Sequence, residues 1–227
     1  MDTIEHMNIN LPVTRIFNGI VEGIDLKFID FSTSGTPSCV FTELQRDDYG
    51  LNQIQLNPED IVLDVGANIG MFSIFVKKKF NCKIIAFEPV PINFEHFKQN
   101  IILNELSLSD FELHQTAITS IDGGKINIGT PYHNSGGSSV FHTCSELISS
   151  CNTETLNKYI TKDCKYLKID CEGGEYEIIP SIIASLNQFS YLGIEYHSFN
   201  NQHSPLSLHN IIKKSFNGRL FCQEPTK

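Results

Sequence analysis

The stretch VLDVGANIGMFS, residues 62–73, decides the fold of this chain. An apolar run ends at an acid, passes through a turn of small residues and restarts with helical spacing. Strand, glycine-rich turn and helix is an arrangement in which many proteins hold a nucleotide at the carboxyl end of a strand. The turn lacks the Gly-x-x-x-x-Gly-Lys-Ser/Thr pattern of a triphosphate loop and the Gly-x-Gly-x-x-Gly pattern of a dinucleotide site. A triphosphate is therefore excluded and a dinucleotide is disfavoured.

The side chains of this turn favour a ligand without phosphate. Asp64 would repel a pyrophosphate, but its carboxylate could accept an ammonium group. Gly66 has no Cβ, so a ligand could lie against its backbone, and Asn68 tolerates a positive φ. The helix that follows Gly70 offers free N–H groups to an anion. An amino-acid tail satisfies both features, whereas the alternative is that Asp64 caps its own turn.

Glu88 adds a second half to the predicted ligand. It lies 24 residues after Asp64, at the end of the next predicted strand. An acid at that place can accept hydrogen bonds from both hydroxyls of a ribose. Ribose together with an amino-acid tail, without phosphate, describes S-adenosylmethionine. The alternative is that the Glu88 carboxylate is merely solvated.

Strands and helices alternate through the rest of the chain. Strands are predicted near 61–63, 83–87, 110–115, 166–170 and 191–196, with helices near 70–79, 92–104, 178–187 and 206–216. This alternation predicts an α/β fold with a mainly parallel sheet and helices on both faces. Between strands three and four, apolar segments at 125–128 and 138–141 flank a link rich in Gly, Asn and Ser, which predicts a β-hairpin insertion. A short helix is predicted at 154–160.

The segment before the first core strand has a different pattern. Glycines at 19 and 23 among apolar residues predict a β-hairpin, and residues 37–47 predict a short helix that starts at a proline. We therefore divide the chain into an N-terminal hairpin and helix extension, residues 1–57, packed on the core, and a cofactor-binding domain, residues 58–227.

Composition limits the partners. The chain has 227 residues, 41% of them hydrophobic, and a formal net charge of −9, which disfavours nucleic acid because phosphate binding needs a basic face. Its seven cysteines include no Cys-x-x-Cys pair, so a zinc ribbon or a disulfide scaffold is disfavoured. The N-terminus lacks a signal-peptide pattern and no apolar run reaches about 18 residues. We expect a cytoplasmic protein with no membrane contact, and leave open a homodimer.

Four segments carry a family resemblance: VLDVGANIG, AFEP, LKIDCEGGEYEII and GIEYH. In this order and spacing, from about residue 58 to 197, the chain resembles the FkbM family of S-adenosylmethionine-dependent methyltransferases. The resemblance implies the class I methyltransferase (Rossmann-like) fold, with an antiparallel last strand. It also implies methyl transfer, usually to a hydroxyl of a sugar, polyketide or other small metabolite. A ribose 2′-O-methyltransferase acting on RNA and a non-catalytic cofactor-binding domain are the alternatives.

These arguments select two sets of residues. Candidate cofactor-binding residues are Asp64, Gly66, Ala67, Asn68, Gly70, Phe72, Glu88, Pro89, Ala117 and Asp170. Candidate catalytic residues are Asp170, Glu172, Glu195 and His197. Glu195 and His197 are two residues apart on a strand and share a face, so His197 could be a general base oriented by Glu195. Alternatively, Asp170, Glu195 and His197 hold a divalent cation. The serines and glycines of 134–139 could also contact the ligand.

Overall fold

A computed structural model describes residues 13–222. The strands of this part are β1 (Thr14–Val21), β2 (Ile24–Phe31), β3 (Ile61–Val65), β4 (Lys83–Phe87), β5 (Phe111–His114), β6 (Ala117–Thr119), β7 (Lys125–Thr130), β8 (Leu147–Thr155), β9 (Cys164–Ile169), β10 (Tyr191–Ile194) and β11 (Arg219–Phe221). Its α-helices are α1 (Thr36–Arg46), α2 (Met71–Phe80), α3 (Pro91–Leu103), α4 (Glu175–Ile182) and α5 (Pro205–Ser215). The predicted alternation of strands and helices is confirmed.

The central sheet has six strands in the order β11-β10-β9-β3-β4-β5. Every neighbouring pair in it is parallel. The predicted antiparallel last strand is wrong within residues 13–222, because β11 pairs parallel to β10, with Tyr191 opposite Arg219. A parallel neighbour requires a crossover connection, and α5 supplies it between these two strands.

Helices cover both faces of the sheet, as predicted. Successive residues of β3 point to opposite faces. Val62 belongs to one apolar core with α2, α3 and the β1–β2 hairpin, whereas Leu63 belongs to a second core with α4 and α5. Strands buried on both faces need continuous apolar runs, which explains the Ile-Val-Leu sequence that opens β3.

The insertion between β5 and β9 forms a separate three-stranded sheet in the order β6-β8-β7. The predicted hairpin is confirmed, since β7 and β8 pair antiparallel. The predicted position of its second strand, 138–141, is wrong: only Ser139 forms an isolated bridge there, to Gly129. The real partner, β8, buries small residues (Ser149, Cys151 and Thr153) at alternate positions, so its apolar signal is weak.

Two helix predictions also need correction. The helix predicted at 154–160 is a 3₁₀ turn, Leu156–Lys158, and Glu154 belongs to β8. The helix predicted at 178–187 is α4, which begins at Glu175 and ends at Ile182, followed by a 3₁₀ turn at Leu186–Gln188.

The N-terminal hairpin and helix α1 are confirmed, and asparagines of α3 fasten the hairpin to the core. Asn100 Oδ1 accepts the Ile29 N–H at 2.6 Å, and its Nδ2 donates to the Ile69 carbonyl at 2.9 Å. Asn104 Oδ1 accepts the Lys27 N–H at 3.1 Å. The division of the chain at residue 57 stays a prediction. Among the described residues, no helix combines the length and the apolar character that crossing a membrane requires.

Candidate active site

The turn between β3 and α2 has three residues with positive φ: Gly66 at 78°, Asn68 at 51° and Gly70 at 85°. A Cβ on Gly66 would overlap the carbonyl oxygen of Asp170, and one on Gly70 would overlap the ring of Phe97. We predicted that Gly66 is a glycine to admit a ligand. The space beside it is instead filled by the end of β9, so the chain's own packing already requires glycine there.

Asp64 lies under this turn, fully buried. Its carboxylate accepts a hydrogen bond from Ser73 Oγ at 2.6 Å, and its Oδ1 lies 3.2 Å from the Nζ of Lys168. The ammonium that Asp64 meets is therefore a side chain of the same protein. Contact with the ammonium of a ligand stays a prediction, and this buried ion pair argues against it.

Lys168 joins the ends of β3 and β9. Its Nζ lies 3.4 Å from Asp170 Oδ2 and donates to the Gly66 carbonyl at 3.1 Å, in addition to its contact with Asp64. Burial alone would lower the pKa of Lys168, but the two carboxylates raise it above its ordinary value. This role was not predicted, although a lysine inside the apolar strand Cys164–Ile169 is itself a signal of a buried partner.

Glu88 lies at the end of β4 with only 4% of its surface exposed. Its Oε2 accepts the backbone N–H of Asn68 at 2.8 Å, and its Oε1 accepts that of Val90 at 2.9 Å. Burial raises the pKa of Glu88 to about 7 despite these donors. Each carboxylate oxygen keeps capacity for another hydrogen bond, which suits the predicted pair of ribose hydroxyls.

A cavity of about 430 Å³ opens between the ends of β3, β4 and β9 and the insertion. The predicted residues on its wall are Gly66, Asn68, Glu88, Pro89, Ala117, Asp170 and Glu172. A second cavity, of about 50 Å³, is lined by Ala67, Asn68, Phe72 and Asp170, together with Tyr49 and Lys168. Asp64, Gly70, Glu195 and His197 are on the wall of neither cavity.

Asn93 on the larger cavity was missed by the sequence analysis. It is fully buried in the first turn of α3, and its Nδ2 donates to the Ser135 carbonyl at 3.2 Å. Its Oδ1 has no hydrogen-bond partner among the described residues. A buried acceptor without a partner is rare, and a donor from a bound molecule would satisfy it.

His197 lies among four carboxylates. Its Nδ1 is 3.0 Å from Glu175 Oε1. Its Nε2 is 3.6 Å from both Glu172 Oε1 and Glu195 Oε1, and 4.0 Å from Asp170 Oδ1. Burial alone would lower the pKa of His197, but the hydrogen bond to Glu175 and the negative charges raise it to about 10. The ring is therefore an imidazolium at neutral pH.

The acids around His197 differ in their ionisation. Burial raises the pKa of Glu172 to about 7, and the charge of Asp170, together with burial, raises that of Glu195 to about 7. Burial would also raise the pKa of Asp170, but Lys168 and His197 hold it below its ordinary value. Asp170 Oδ2 also accepts a hydrogen bond from the Tyr49 hydroxyl at 3.2 Å. Asp170 is thus ionised at neutral pH.

Glu175 holds the turn that presents Glu172. Its Oε1 accepts the Cys171 N–H at 3.1 Å, and its Oε2 accepts the Gly173 N–H at 3.0 Å. Within this turn Glu172 has a φ of 53°. Glu175 is the first residue of α4, three residues before the predicted start of this helix, and its contact with His197 was not predicted.

The chain is similar to known proteins. The family model described as Methyltransferase FkbM domain matches residues 64–217. Methyltransferase sdnD of Sordaria araneosa is 35% identical over 86 residues, covering 37% of this chain and 32% of that protein. The 31-O-demethyl-FK506 methyltransferase FkbM of Streptomyces tacrolimicus is 33% identical over 76 residues, covering 33% of this chain and 29% of that protein. The matches thus span about a third of the length of these relatives.

Two solved structures are also similar. TYW2 of M. jannaschii in complex with AdoMet has a TM-score of 0.34 and 22% identity, covering 44% of this chain and 42% of that one. SMU.1697c, a putative methyltransferase from Streptococcus mutans in complex with SAH, has a TM-score of 0.35 and 14% identity, covering 79% and 69%.

The parallel sheet with helices on both faces is the class I methyltransferase fold. The family match, residues 64–217, takes up more than half of the 227 residues and contains the turn, Glu88 and the acid cluster. The chain therefore belongs to the FkbM family of S-adenosylmethionine-dependent methyltransferases.

Proposed function

We propose that this protein transfers a methyl group from S-adenosylmethionine to a hydroxyl oxygen of a small molecule such as a sugar or polyketide. The observation that carries the proposal is the position of Glu172. It is a carboxylate on the wall of the larger cavity, 3.6 Å from the imidazolium of His197. Methylation of a hydroxyl requires removal of its proton, and a positioned carboxylate can supply a base.

The residues present fit the cofactor. Glu88 would accept the ribose hydroxyls, and the partnerless Oδ1 of Asn93 would accept a further donor of the adenosine. The smaller cavity, which the rings of Tyr49 and Phe72 help to line, would take the methionine end. When bound, the cofactor supplies a methyl group activated by a positive sulfur. The protein's own tasks are then to hold the acceptor in line and to take its proton.

The proton acceptor is assigned to Glu172 rather than to His197. A protonated imidazole has no lone pair with which to accept a proton. The hydroxyl proton would pass to a carboxylate oxygen of Glu172 as the acceptor oxygen bonds to the methyl carbon and the methyl–sulfur bond breaks. The positive charge of His197 favours the ionised form of Glu172 before that step.

A divalent cation is the second candidate for activating the hydroxyl. Asp170, Glu195 and His197 each offer one ligand atom, and these atoms lie within 4.8 Å of one another. Two carboxylate oxygens and one imidazole nitrogen suit a first-row divalent ion, which would have to displace the proton on His197. Activity that is lost in EDTA and restored by Mn²⁺, with a rise in melting temperature on adding Mn²⁺, would support this candidate. Activity that persists in EDTA would leave Glu172 as the base.

Three observations support a small acceptor over RNA. The chain carries a net charge of −9, and the charge of the buried Lys168 is already paired with two aspartates. The relative named 31-O-demethyl-FK506 methyltransferase acts on a small molecule and, by its name, on an oxygen. The retained acid cluster also disfavours a non-catalytic domain.

The test has two stages. Calorimetric titration with S-adenosylhomocysteine should show binding, and titration with NAD should not. The protein is then incubated with methyl-labelled S-adenosylmethionine and a panel of hydroxylated macrolides, polyketides and sugars. NMR of the labelled products identifies the atom that carries the methyl group. A methyl group on oxygen supports the proposal. A methyl group on nitrogen or carbon, or a folded protein that does not bind S-adenosylhomocysteine, contradicts it.

A further inference from the structure

The insertion is fastened to the N-terminal segment along a seam, defined here as residues 30–36 against residues 132–137. The Gly35 N–H donates to the His133 carbonyl at 2.9 Å. The hydroxyl of Thr36 donates to Asn134 Oδ1 at 2.9 Å and accepts the Gly136 N–H at 2.8 Å. The seam thus uses backbone groups of both segments and is not a chance surface contact.

Ser135 is the buried centre of the seam. Its hydroxyl donates to Asp30 Oδ2 at 2.7 Å, and both residues are fully buried. Its carbonyl points to the other side, where it accepts from Asn68 Nδ2 at 2.9 Å and from Asn93 Nδ2 at 3.2 Å. One residue therefore joins the N-terminal hairpin to two asparagines on the wall of the larger cavity.

The chain of contacts continues to the carboxylate assigned to the ribose. Asn68 donates its backbone N–H to Glu88 Oε2 at 2.8 Å. A hydrogen bond weakens steeply when its distance or angle departs from these values. A shift of the Ser135 carbonyl by about 1 Å would therefore release both asparagines, and with them the position of the Asn68 amide that holds Glu88.

We infer that Asp30 and Ser135 are positioning residues for the cofactor, which act on Glu88 through Asn68 and hold Asn93 in place on the cavity wall. This inference rests on the proposed function, because the ligand that they position is S-adenosylmethionine. Asp30 lies before residue 64, where the family match begins. The N-terminal segment, which already supplies Tyr49 to the smaller cavity, would therefore also act on the ribose end of the site through Asp30.

The experiment measures the affinity for S-adenosylhomocysteine of Ser135→Ala by calorimetry, at a temperature at which circular dichroism shows the variant folded. The alanine removes a hydrogen bond to a buried carboxylate, so we expect affinity to fall about tenfold. Thr33→Ala is the matched control: it removes an exposed hydrogen bond of 3.2 Å to the Tyr132 carbonyl, between the same two segments. Its affinity should stay within about twofold of wild type.

A double-mutant cycle separates positioning from loss of stability. If Ser135 acts through Asn68, Ser135→Ala should cost much less affinity in an Asn68→Ala background than in wild type. A merely structural effect would add to that of Asn68→Ala. If Ser135→Ala does not fold, Thr36→Val takes its place. Valine keeps the shape of the Thr36 side chain but removes its hydroxyl from the seam, so the affinity for S-adenosylhomocysteine should fall about threefold.

Each outcome decides a different claim. Wild-type protein that does not bind S-adenosylhomocysteine overturns the proposed function and this inference with it. Wild-type protein that binds, with Ser135→Ala within twofold of it or with fully additive losses in the cycle, overturns this inference alone.

Discussion

The two ends of the larger cavity hold their carboxylates in different ways. At the Glu88 end, backbone N–H groups of Asn68 and Val90 fix the side chain. At the Glu172 end, the partners are other ionisable side chains, with His197 in contact with four acids. Backbone donors cannot change their charge, whereas every member of the acid cluster can. The first end is suited to hold a ligand and the second to move a proton.

Lys168 lies where the two ends meet. It binds Asp64 under the turn between β3 and α2 and Asp170 in the acid cluster, and it donates to the Gly66 carbonyl between them. Substitutions at either end, and at Lys168, test whether the Glu88 end controls ligand binding and the Glu172 end controls turnover, as this geometry predicts.

The largest expected effect is on turnover. Glu172→Gln keeps the shape of the side chain but cannot take a proton, so kcat should fall by about 10²–10⁴. The affinity for S-adenosylhomocysteine, measured by calorimetry, should change little. The control is Glu95→Gln on α3, which is exposed and lies on the wall of neither cavity. If Glu172→Gln turns over like wild type, the division between the two ends fails.

The next effect is on stability. Lys168→Met leaves Asp64 and Asp170 without their buried cation, which should cost about 3–5 kcal/mol. A chain of this length should then lose on the order of 10 °C in melting temperature, measured by calorimetry. Lys83→Met is the control, because Lys83 pairs with Glu59 at the surface, where such pairs contribute about 0–1 kcal/mol. Equal melting temperatures for the two variants would show that Lys168 does not hold the ends together.

A third substitution addresses the binding end alone. Glu88→Ala removes the charged acceptor of the ribose hydroxyls, and hydrogen bonds to charged groups contribute about 1.5–3 kcal/mol. The affinity for S-adenosylhomocysteine should therefore fall by roughly one to two orders of magnitude. Melting temperature without ligand reports whether the fold survives. Unchanged affinity in a folded variant would refute the assignment of Glu88.

The two ends also differ in how far the sequence could predict them. The turn 66–70 and Glu88 follow from local strand-to-turn patterns, and the structure places them directly after β3 and β4, although β3 ends two residues later than predicted. Asn93 resembles any polar residue in a first helical turn, and only its tertiary position beside Ser135 shows that an acceptor is left over.

The contacts within the acid cluster were even harder to predict from the sequence. The predicted strand 191–196 is too long: β10 ends at Ile194, so Glu195 and His197 follow the strand and do not share one of its faces, although Glu195 Oε1 lies 3.6 Å from His197 Nε2. The contact of Glu175 with the ring was not predicted, because it depends on how α4 begins beside β10. The charge of His197 follows from all its neighbours at once. Spacing alone therefore could not test the interpretation of His197 as a base. It also could not reveal that Lys168 is the partner of Asp64.

The smallest effect is a pH dependence confined to the binding end. Burial raises the pKa of Glu88 to about 7, and ribose hydroxyls donate best to its ionised form. Affinity for S-adenosylhomocysteine should therefore increase as the pH rises through 7, by up to about tenfold between pH 6 and pH 8.

The stability of the ligand-free protein should change in the opposite direction. The folded carboxyl holds its proton at a pH where the unfolded one has lost it, so this group's contribution to stability falls as the pH rises from about 4.5 to 7. Glu88→Gln has no proton to lose and should abolish both trends, which calorimetric titrations and melting curves at each pH would show. If the trend in affinity persists in Glu88→Gln, another titrating group, in the acid cluster, contributes to binding, and the two ends are not separate.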